Sequence, residues 1–418
     1  MGVYMADVAA FNLKKTLKNN TMIFILIAVM LFFQVLIVGF GKGSLFAPSN
    51  ITNIINQNAY VVILATGMLL CILTGGNIDL SVGSIVCLVG AIAGILLVHL
   101  SLPVGVAVVV CLIAGIVIGA WHGFFIAFVH IPPFICTLSG MLLWRGVALL
   151  FLKGNTIGPF PQNYMNIFSS FIPGSYMPDI SGIEDDAAYF AAEASQARFI
   201  FTVTLVVALL CVAVIVAGNI FTRVAKIRKG YKVAPLGMFA AKLAVLCGIT
   251  LAIGILLGMD KGIPSVLIPV AVVVLVYAYY TQNTVPGRYL YAIGGNEKAA
   301  RLSGVNTEHV MFFAYTNMGF LSGLAALVCA ARFNSAAPTA GQNYEMDAIA
   351  SCFIGGASAY GGTGTIGGAV IGAVFMGILN NGMSILGVDA NWQRAVKGLV
   401  LLLAVIFDVV SKKRRSTK

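Results

Sequence analysis

The sequence predicts an all-α polytopic membrane protein of about 12 transmembrane helices, within a range of 10–12. Three observations carry this. Of 418 residues, 60% are apolar and only 9% charged, against roughly a quarter charged in soluble domains. Apolar runs close to the length of a helical span recur along the chain. The basic residues gather in clusters separated by even numbers of those runs, as expected of segments held on one side of a bilayer.

The first run, Thr21–Phe40, is broken only by Gln34. It follows a basic stretch but is long enough to span and lacks a convincing cleavage site, so it reads as a retained helix rather than a signal peptide. Ala59–Leu73, Val82–Leu100, Val104–Phe128, Phe134–Leu152, Phe199–Ala217, Gly237–Leu257, Ile263–Tyr280 and Met311–Ala331 follow. Met346–Ala359 and Ile366–Asn380 are short and read either as spans or as half-helices. Val396–Val409 is the last. Between spans, Lys153–Arg198 joins a Gly/Pro/aromatic part, Gly154–Pro178, to an acidic helix-like part, Ile183–Ser195; a lid and a plain connector are equal readings of it.

The net charge of +11 invites a nucleic-acid reading, which its distribution excludes. Sixteen of the 25 Lys and Arg fall in four places: Lys14, Lys15 and Lys18, the Arg223–Lys232 segment, the Arg288–Arg301 segment, and Lys412–Lys418. Both termini and these loops are therefore predicted to be cytoplasmic, and the acidic Asp179–Glu193 region to lie outside. Contact of the basic clusters with anionic lipid headgroups is a secondary implication. The eight cysteines all lie in or beside apolar runs without a C-x-x-C pair and read as small buried hydrophobes.

Enzyme signatures are missing. The Gly41-Lys42 pair lacks the upstream glycine of a phosphate loop. His99, His122, His130 and His309 are too scattered for a zinc site, so no metal is expected. Ion-coupled carriers bury acids and histidines within their spans, and here the candidates reduce to Asp79, His122, Arg145 and Lys242. Arg145 reads either as a pathway group or as a snorkelling one; Lys242 reads as snorkelling.

Two glycine-rich interruptions resemble one another. Gly75–Ser84 and Gly355–Gly364 each follow an apolar run with a glycine pair and precede a new apolar run. Paired interruptions in two halves of a chain are characteristic of transporters, since unwound backbone at membrane depth needs protein or a water-filled cavity around it. A weak internal pseudo-repeat is predicted, against the alternative of close helix packing by glycine.

The third feature is Gly294–Gly304. Asn296 suits an N-cap, Glu297 and Arg301 complement the two ends of the helix dipole, and Gly304 suits the left-handed residue that ends a helix. A short capped polar helix in a cytoplasmic loop offers a handle to a soluble partner; a solvated helical loop is the alternative. Ala299 and Ala300 are small enough for close approach.

Thr74-Gly75-Gly76-Asn77-Ile78-Asp79-Leu80-Ser81-Val82-Gly83-Ser84 resembles the T-G-G-I-D-L-S-V-G-S segment of bacterial monosaccharide ABC-importer permeases of the ribose, xylose and multiple-sugar type, here with Asn77 inserted. Pro286-Gly287-Arg288, Tyr291–Val305, Pro338–Gly341, Tyr344–Ala350 with Gly355-Gly356, Leu379–Gly382 and Trp392-Gln393 match the same family. The resemblance implies a type II-like ABC importer permease: one transmembrane domain over 1–418, with an extracytoplasmic loop at 153–198 and a coupling loop at 281–310. Such a chain sits in the bacterial plasma membrane, pairs with a second copy, binds cytoplasmic ATPase subunits and receives sugar from an extracytoplasmic binding protein. ATP and magnesium are then used by the ATPase and no cofactor is held by this chain. The extra length in Asp179–Tyr280 favours the xylose or multiple-sugar branch, while nucleoside or furanose-signal permeases are the nearest alternative and an ion-coupled secondary carrier the alternative from another class.

On that analogy Gly294, Gly295, Asn296, Glu297, Lys298, Ala299, Ala300, Arg301 and Gly304 contact the ATPase. Hydroxyl, amide, aromatic and charged groups near interruptions, namely Asn77, Asp79, Ser81, Arg145, Asn317, Tyr360, Asn380 and Asn381, are candidates for the substrate pathway. Arg332, Glu345, Asp347 and Arg394 flank spans on the predicted outer side and are candidates for docking the binding protein.

Overall fold

The computed structural model describes residues 21–416 except 181, 183, 184, 232 and 234. Lys14, Lys15, Lys18, Lys232, Lys418 and Ile183 lie outside the described residues. The chain folds into two compact units, one of residues up to Leu45 with Gln57–Phe168 and Ile268–Lys418, the other of Phe46–Asn56 with Ser169–Leu267.

In chain order the helices are α1 Thr21–Gly39, α2 Pro48–Leu73, α3 Val82–Gly94 with a π-turn over Ile95–His99, α4 Val104–Ala127, α5 Pro133–Leu152, α6 Gln162–Phe168, α7 Asp186–Arg228, α8 Leu236–Gly258, α9 Leu267–Asn283, α10 Val285–Gly295, α11 Glu297–Leu302, α12 Thr307–Phe333, α13 Tyr344–Ile354, α14 Ile366–Ile385 and α15 Ala390–Ser416. Nine helices among the described residues are long and apolar enough to cross a membrane, or ten when the bent pair α9 and α10 counts as one span. This is fewer than the 12 read from apolar runs. The run Met346–Ala359 yields only the 11 residues of α13, a rise of about 16 Å, half of a hydrocarbon core. The run Val396–Val409 lies within α15, whose Lys397 and Asp408 interrupt its apolar character.

The larger unit is built around α12, which packs on α3 and α4, while α13 packs on α14 and α15 and α14 on α1. From Asn58 to Leu73 every residue of α2 is buried, as expected of a helix that is apolar nearly all round. Between lipid-soluble helices no hydrophobic force acts, so small residues that let backbones touch do the work. Gly115, Gly119 and Gly123 of α4 recur every four residues against Gly319 and Gly323 of α12: a methyl group at Gly119 would lie 2.6 Å from the Tyr315 carbonyl, and one at Gly123 would lie 2.9 Å from that of Phe312. Val106, Val109, Ile113 and Val117 point away from this seam and are exposed, a surface suited to hydrocarbon.

The first part of the Lys153–Arg198 segment is anchored. Ile157 bridges Ala336 in antiparallel fashion, Phe160 N–H donates to Asn334 Oδ1 at 2.8 Å, and the buried Tyr164 hydroxyl of α6 donates to the Leu327 carbonyl at 2.7 Å. In the smaller unit α7 packs on α8, with Gly258 against Phe201 and Thr204, and β1 (Phe171–Pro173) pairs antiparallel with β2 (Gly262–Pro264). The acidic piece and the Phe199–Ala217 span are one continuous helix of 43 residues, capped by Asp185 accepting from Ala187 N–H. No Gly or Pro occurs between Asp186 and Ala217, and Ala supports the helix through the junction.

Candidate functional site

The two glycine interruptions meet. After α2 the chain unwinds over Thr74–Ser81 and restarts in α3; after α13 it unwinds over Gly355–Thr365 and restarts in α14. Gly362 N–H donates to the Leu73 carbonyl at 3.1 Å. Gly361, at φ +80, lies so close that a side chain would come within 2.5 Å of Gly75 Cα, and one on Gly76 would strike the Ala359 carbonyl. Both positive φ and backbone contact require glycine here. The second interruption is further tied down by Ala359 N–H donating to Asp408 Oδ2 of α15 at 3.1 Å.

Gly294 of α10 joins the same crossing. A methyl group there would strike the Leu73 carbonyl and Gly362 N, and the Tyr291 hydroxyl donates to the Gly364 carbonyl at 3.1 Å. The helix α10 runs at 70° to α9; Thr284 caps it by accepting from Gly287 N–H. Gly294 and Gly295 therefore close α10, and the short polar helix itself is α11. Asn296 caps α11 through Ala299 N–H at 3.0 Å, Glu297 occupies its first turn and Arg301 its last, and Gly304 has φ +84. Arg301 is paired with Glu308 of α12 at 2.8 Å.

Ala299 and Ala300 are not equivalent. Ala299 is exposed, whereas Ala300 is buried with Ile293 and Val305 in the core that fixes α11 on α10. The surface offered to a partner is Glu297, Lys298, Ala299 and Leu302, the last 91% exposed. A leucine so exposed on a polar helix is the signal that sequence reasoning missed.

Asp79 is 1% exposed at the restart of α3. Its Oδ1 accepts from Ser81 N–H at 2.8 Å and Ser81 Oγ–H at 2.5 Å; Ser81 Oγ lies 3.3 Å from His122 Nδ1, and Trp144 Nε1 lies 3.2 Å from His122 Nε2. Indole nitrogen only donates. Trp144 therefore assigns the lone pair to Nε2 and the proton to Nδ1, so that Trp144, His122 and Ser81 donate in sequence toward the carboxylate. Gly140 gives His122 its place, for a side chain there would strike the imidazole. Sequence reasoning found Asp79 and Ser81 but not Trp144, whose spacing from His122 has no recognisable period.

Beside the first turn of α3 and the middle of α5 a cavity of about 270 Å³ is lined by Ser84, Met141, Leu142, Arg145, Gln342, Asn343, Glu345 and Arg394. Arg145 Nη1 donates to the carbonyls of Pro338 at 3.3 Å and Ala340 at 2.6 Å, so it does not snorkel. Glu345 is buried beside this cavity, and Asp347 is buried in an ion pair with Lys397 at 2.9 Å, with the Tyr60 hydroxyl at 3.1 Å. Burial removes both acids from the rim surface predicted for them. Arg394 is exposed; Arg332 is half-buried, donating to the Gln57 carbonyl at 3.3 Å and stacking over Phe333.

The remaining pathway candidates are dispersed. Asn77 Nδ2 donates to Thr74, Asn317 accepts from the Tyr277 hydroxyl, Asn381 is buried and Asn380 half-buried in α14, and Tyr360 is 63% exposed at the glycine crossing. Among the described residues no group of three His, Cys, Asp or Glu side chains is placed to hold a metal ion.

Apolar spans, interrupted helices meeting inside the helical unit and a capped polar helix beside them define a membrane permease. The chain belongs to the family described as branched-chain amino acid transport system permease component, whose model matches residues 50–183 and 187–405. It is 34% identical over 405 residues to the xylose transport system permease protein of Haemophilus influenzae, covering 97% of this chain and 100% of the relative. It is 33% identical over 395 residues to the xylose transport system permease protein of Escherichia coli, covering 94% and 93%. Against the ribose import permease protein of Escherichia coli it is 33% identical over 380 residues, covering 91% and 92%. No solved structure matches the chain. Members of this family are transporter components rather than catalytic subunits, and the chain is a multi-pass membrane protein.

Proposed function

We propose that this chain is the membrane permease of an ATP-driven, binding-protein-dependent sugar importer, with xylose the first substrate to test. The observation that carries the reading is likeness along the whole length, 97% of this chain to 100% of a xylose permease. In this reading α11 is the contact for a separate ATPase. Its capped ends, exposed Leu302 and buried Ala300 support that role, because an isolated six-residue helix does not persist unless tertiary contacts hold it. Motion delivered to α11 passes through α10 to Gly294, which lies on the meeting point of both interruptions. The working unit is a pair of these chains with two ATPase subunits and an extracytoplasmic binding protein, both termini and α11 on the cytoplasmic side. The route of the sugar includes the interruption carrying Asn77, Asp79 and Ser81, and Arg332 and Arg394 contribute to docking of the binding protein.

The test is reconstitution of the chain with an ATPase and a sugar-binding protein from the same organism. Uptake of labelled xylose that requires both ATP inside and binding protein outside supports the reading. Uptake driven by a proton or sodium gradient in the absence of ATP sinks it in favour of a secondary carrier; transport of nucleosides in preference to pentoses moves the substrate class.

A further inference from the structure

The cavity between α5, the loop before α13 and the start of α15 has a chemistry unlike the apolar faces around it. Within apolar spans, charged groups are retained where they face protein or water. Arg145 is held on the wall by two carbonyls. Glu345 is buried at the floor, and Gly83 makes room for it, since a methyl group there would lie 2.5 Å from Glu345 Oε2. The loop that brings Gln342 and Asn343 over the cavity is shaped by two left-handed residues, Gly341 at φ +74 and Asn343 at φ +63. A non-glycine residue in that region is strained and persists where the surroundings over-determine it. Asn343 occupies the N-cap position of α13, yet its side chain makes no capping hydrogen bond; the amide is left to the cavity it lines. Ser84 donates to the Met141 carbonyl at 2.7 Å and keeps its lone pairs.

Resting on the import reading above, we propose that Arg145, Gln342, Asn343, Glu345 and Arg394 form a subsite for a neutral polyhydroxylated ligand beside the first glycine-rich interruption. A hydroxyl both donates and accepts, and this wall supplies guanidinium and amide donors together with amide and carboxylate acceptors around one cavity. Glu345 offsets one of the two guanidinium groups, and Arg145 already donates to two carbonyls, so the wall does not present the concentrated positive charge that an anion needs. The volume of about 270 Å³ falls just below the roughly 300–1,000 Å³ of pockets for drug-sized ligands, which suits a single sugar ring. The subsite receives the ligand as the binding protein releases it and holds it by contacts that do not depend on one stereochemistry.

The complete importer, reconstituted with its ATPase and binding protein, separates this from other roles. Gln342→Leu and Glu345→Gln are expected to lower xylose imported per ATP hydrolysed by about tenfold, the loss of roughly one polar contact, while stimulation of hydrolysis by loaded binding protein stays within about twofold of the parent. Unchanged import per ATP in both variants overturns the subsite and leaves the import reading standing. Preference of the parent for a phosphorylated pentose overturns the neutral class. A parent that imports no sugar overturns the import reading and the subsite together. Where Glu345→Gln fails to assemble, Gln342→Leu, on an exposed loop, decides alone.

Discussion

Ser81 holds a buried carboxylate with two groups at once, its own N–H and its hydroxyl, while His122 and Trp144 orient that hydroxyl from behind. A hydrogen bond to a charged group contributes about 1.5–3 kcal/mol. Ser81→Ala is therefore expected to destabilise the permease by about 1–3 kcal/mol, read as a lower midpoint of thermal inactivation in detergent. Trp144→Phe removes only the outermost donor and is expected to cost less. Equal losses in both variants would show that the order of donors does not matter. Asp79 and Ser81 were legible in the sequence because they stand inside a glycine-rich interruption. Trp144 and Lys397 were not, since each acts on a residue far away in sequence: Trp144 reaches His122, and Lys397 reaches Asp347, 50 residues earlier.

At the scale of the element, α11 was legible nearly to the residue, because caps and dipole charges are local. What sequence could not give was its roll about its own axis, which the Ile293, Ala300 and Val305 core decides. Substitutions on its two faces should then separate. Ala299→Asp and Leu302→Asp are expected to leave insertion and thermal stability within about 0.5 kcal/mol, the usual range for surface changes, while abolishing co-purification with the ATPase. Ala300→Asp buries an unpaired charge and is expected to cost several kcal/mol, seen as poor yield of the permease itself. Full ATPase binding by Leu302→Asp would return α11 to the status of a connector. The bent, shorter and interrupted helices were the least legible elements, because an apolar run reports burial and not whether the backbone inside it stays helical; α13 and the 70° turn into α10 are the clearest cases.

At the scale of the whole molecule, the helical membrane class and the family were legible from composition and spaced motifs, and the basic clusters predict a sidedness that labelling tests. In a background without native cysteines, Ser195→Cys is expected to react with an impermeant maleimide in intact cells and Ser303→Cys only after permeabilisation; both positions are exposed. The opposite pattern would invert the topology and place α11 outside the reach of any ATPase. Gly294→Ala tests how far the parts depend on one another. A single methyl group there meets backbone of both interruptions rather than a side chain that can swing away, so the variant is expected to lose ATP-driven uptake even where ATPase still binds. Uptake close to that of the parent would show that the crossing is loose enough to absorb a methyl group.

The seam of Gly115, Gly119 and Gly123 against Gly319 and Gly323 brings two backbones to contact with nothing between them. Side chains can re-pack between alternative rotamers, but two touching backbones have no second arrangement of comparable closeness to move to. In the proposed importer, α4 and α12 are therefore expected to move as one body. Whatever turns, slides or bends relative to that body during a cycle is to be sought among the elements that meet at the glycine crossing.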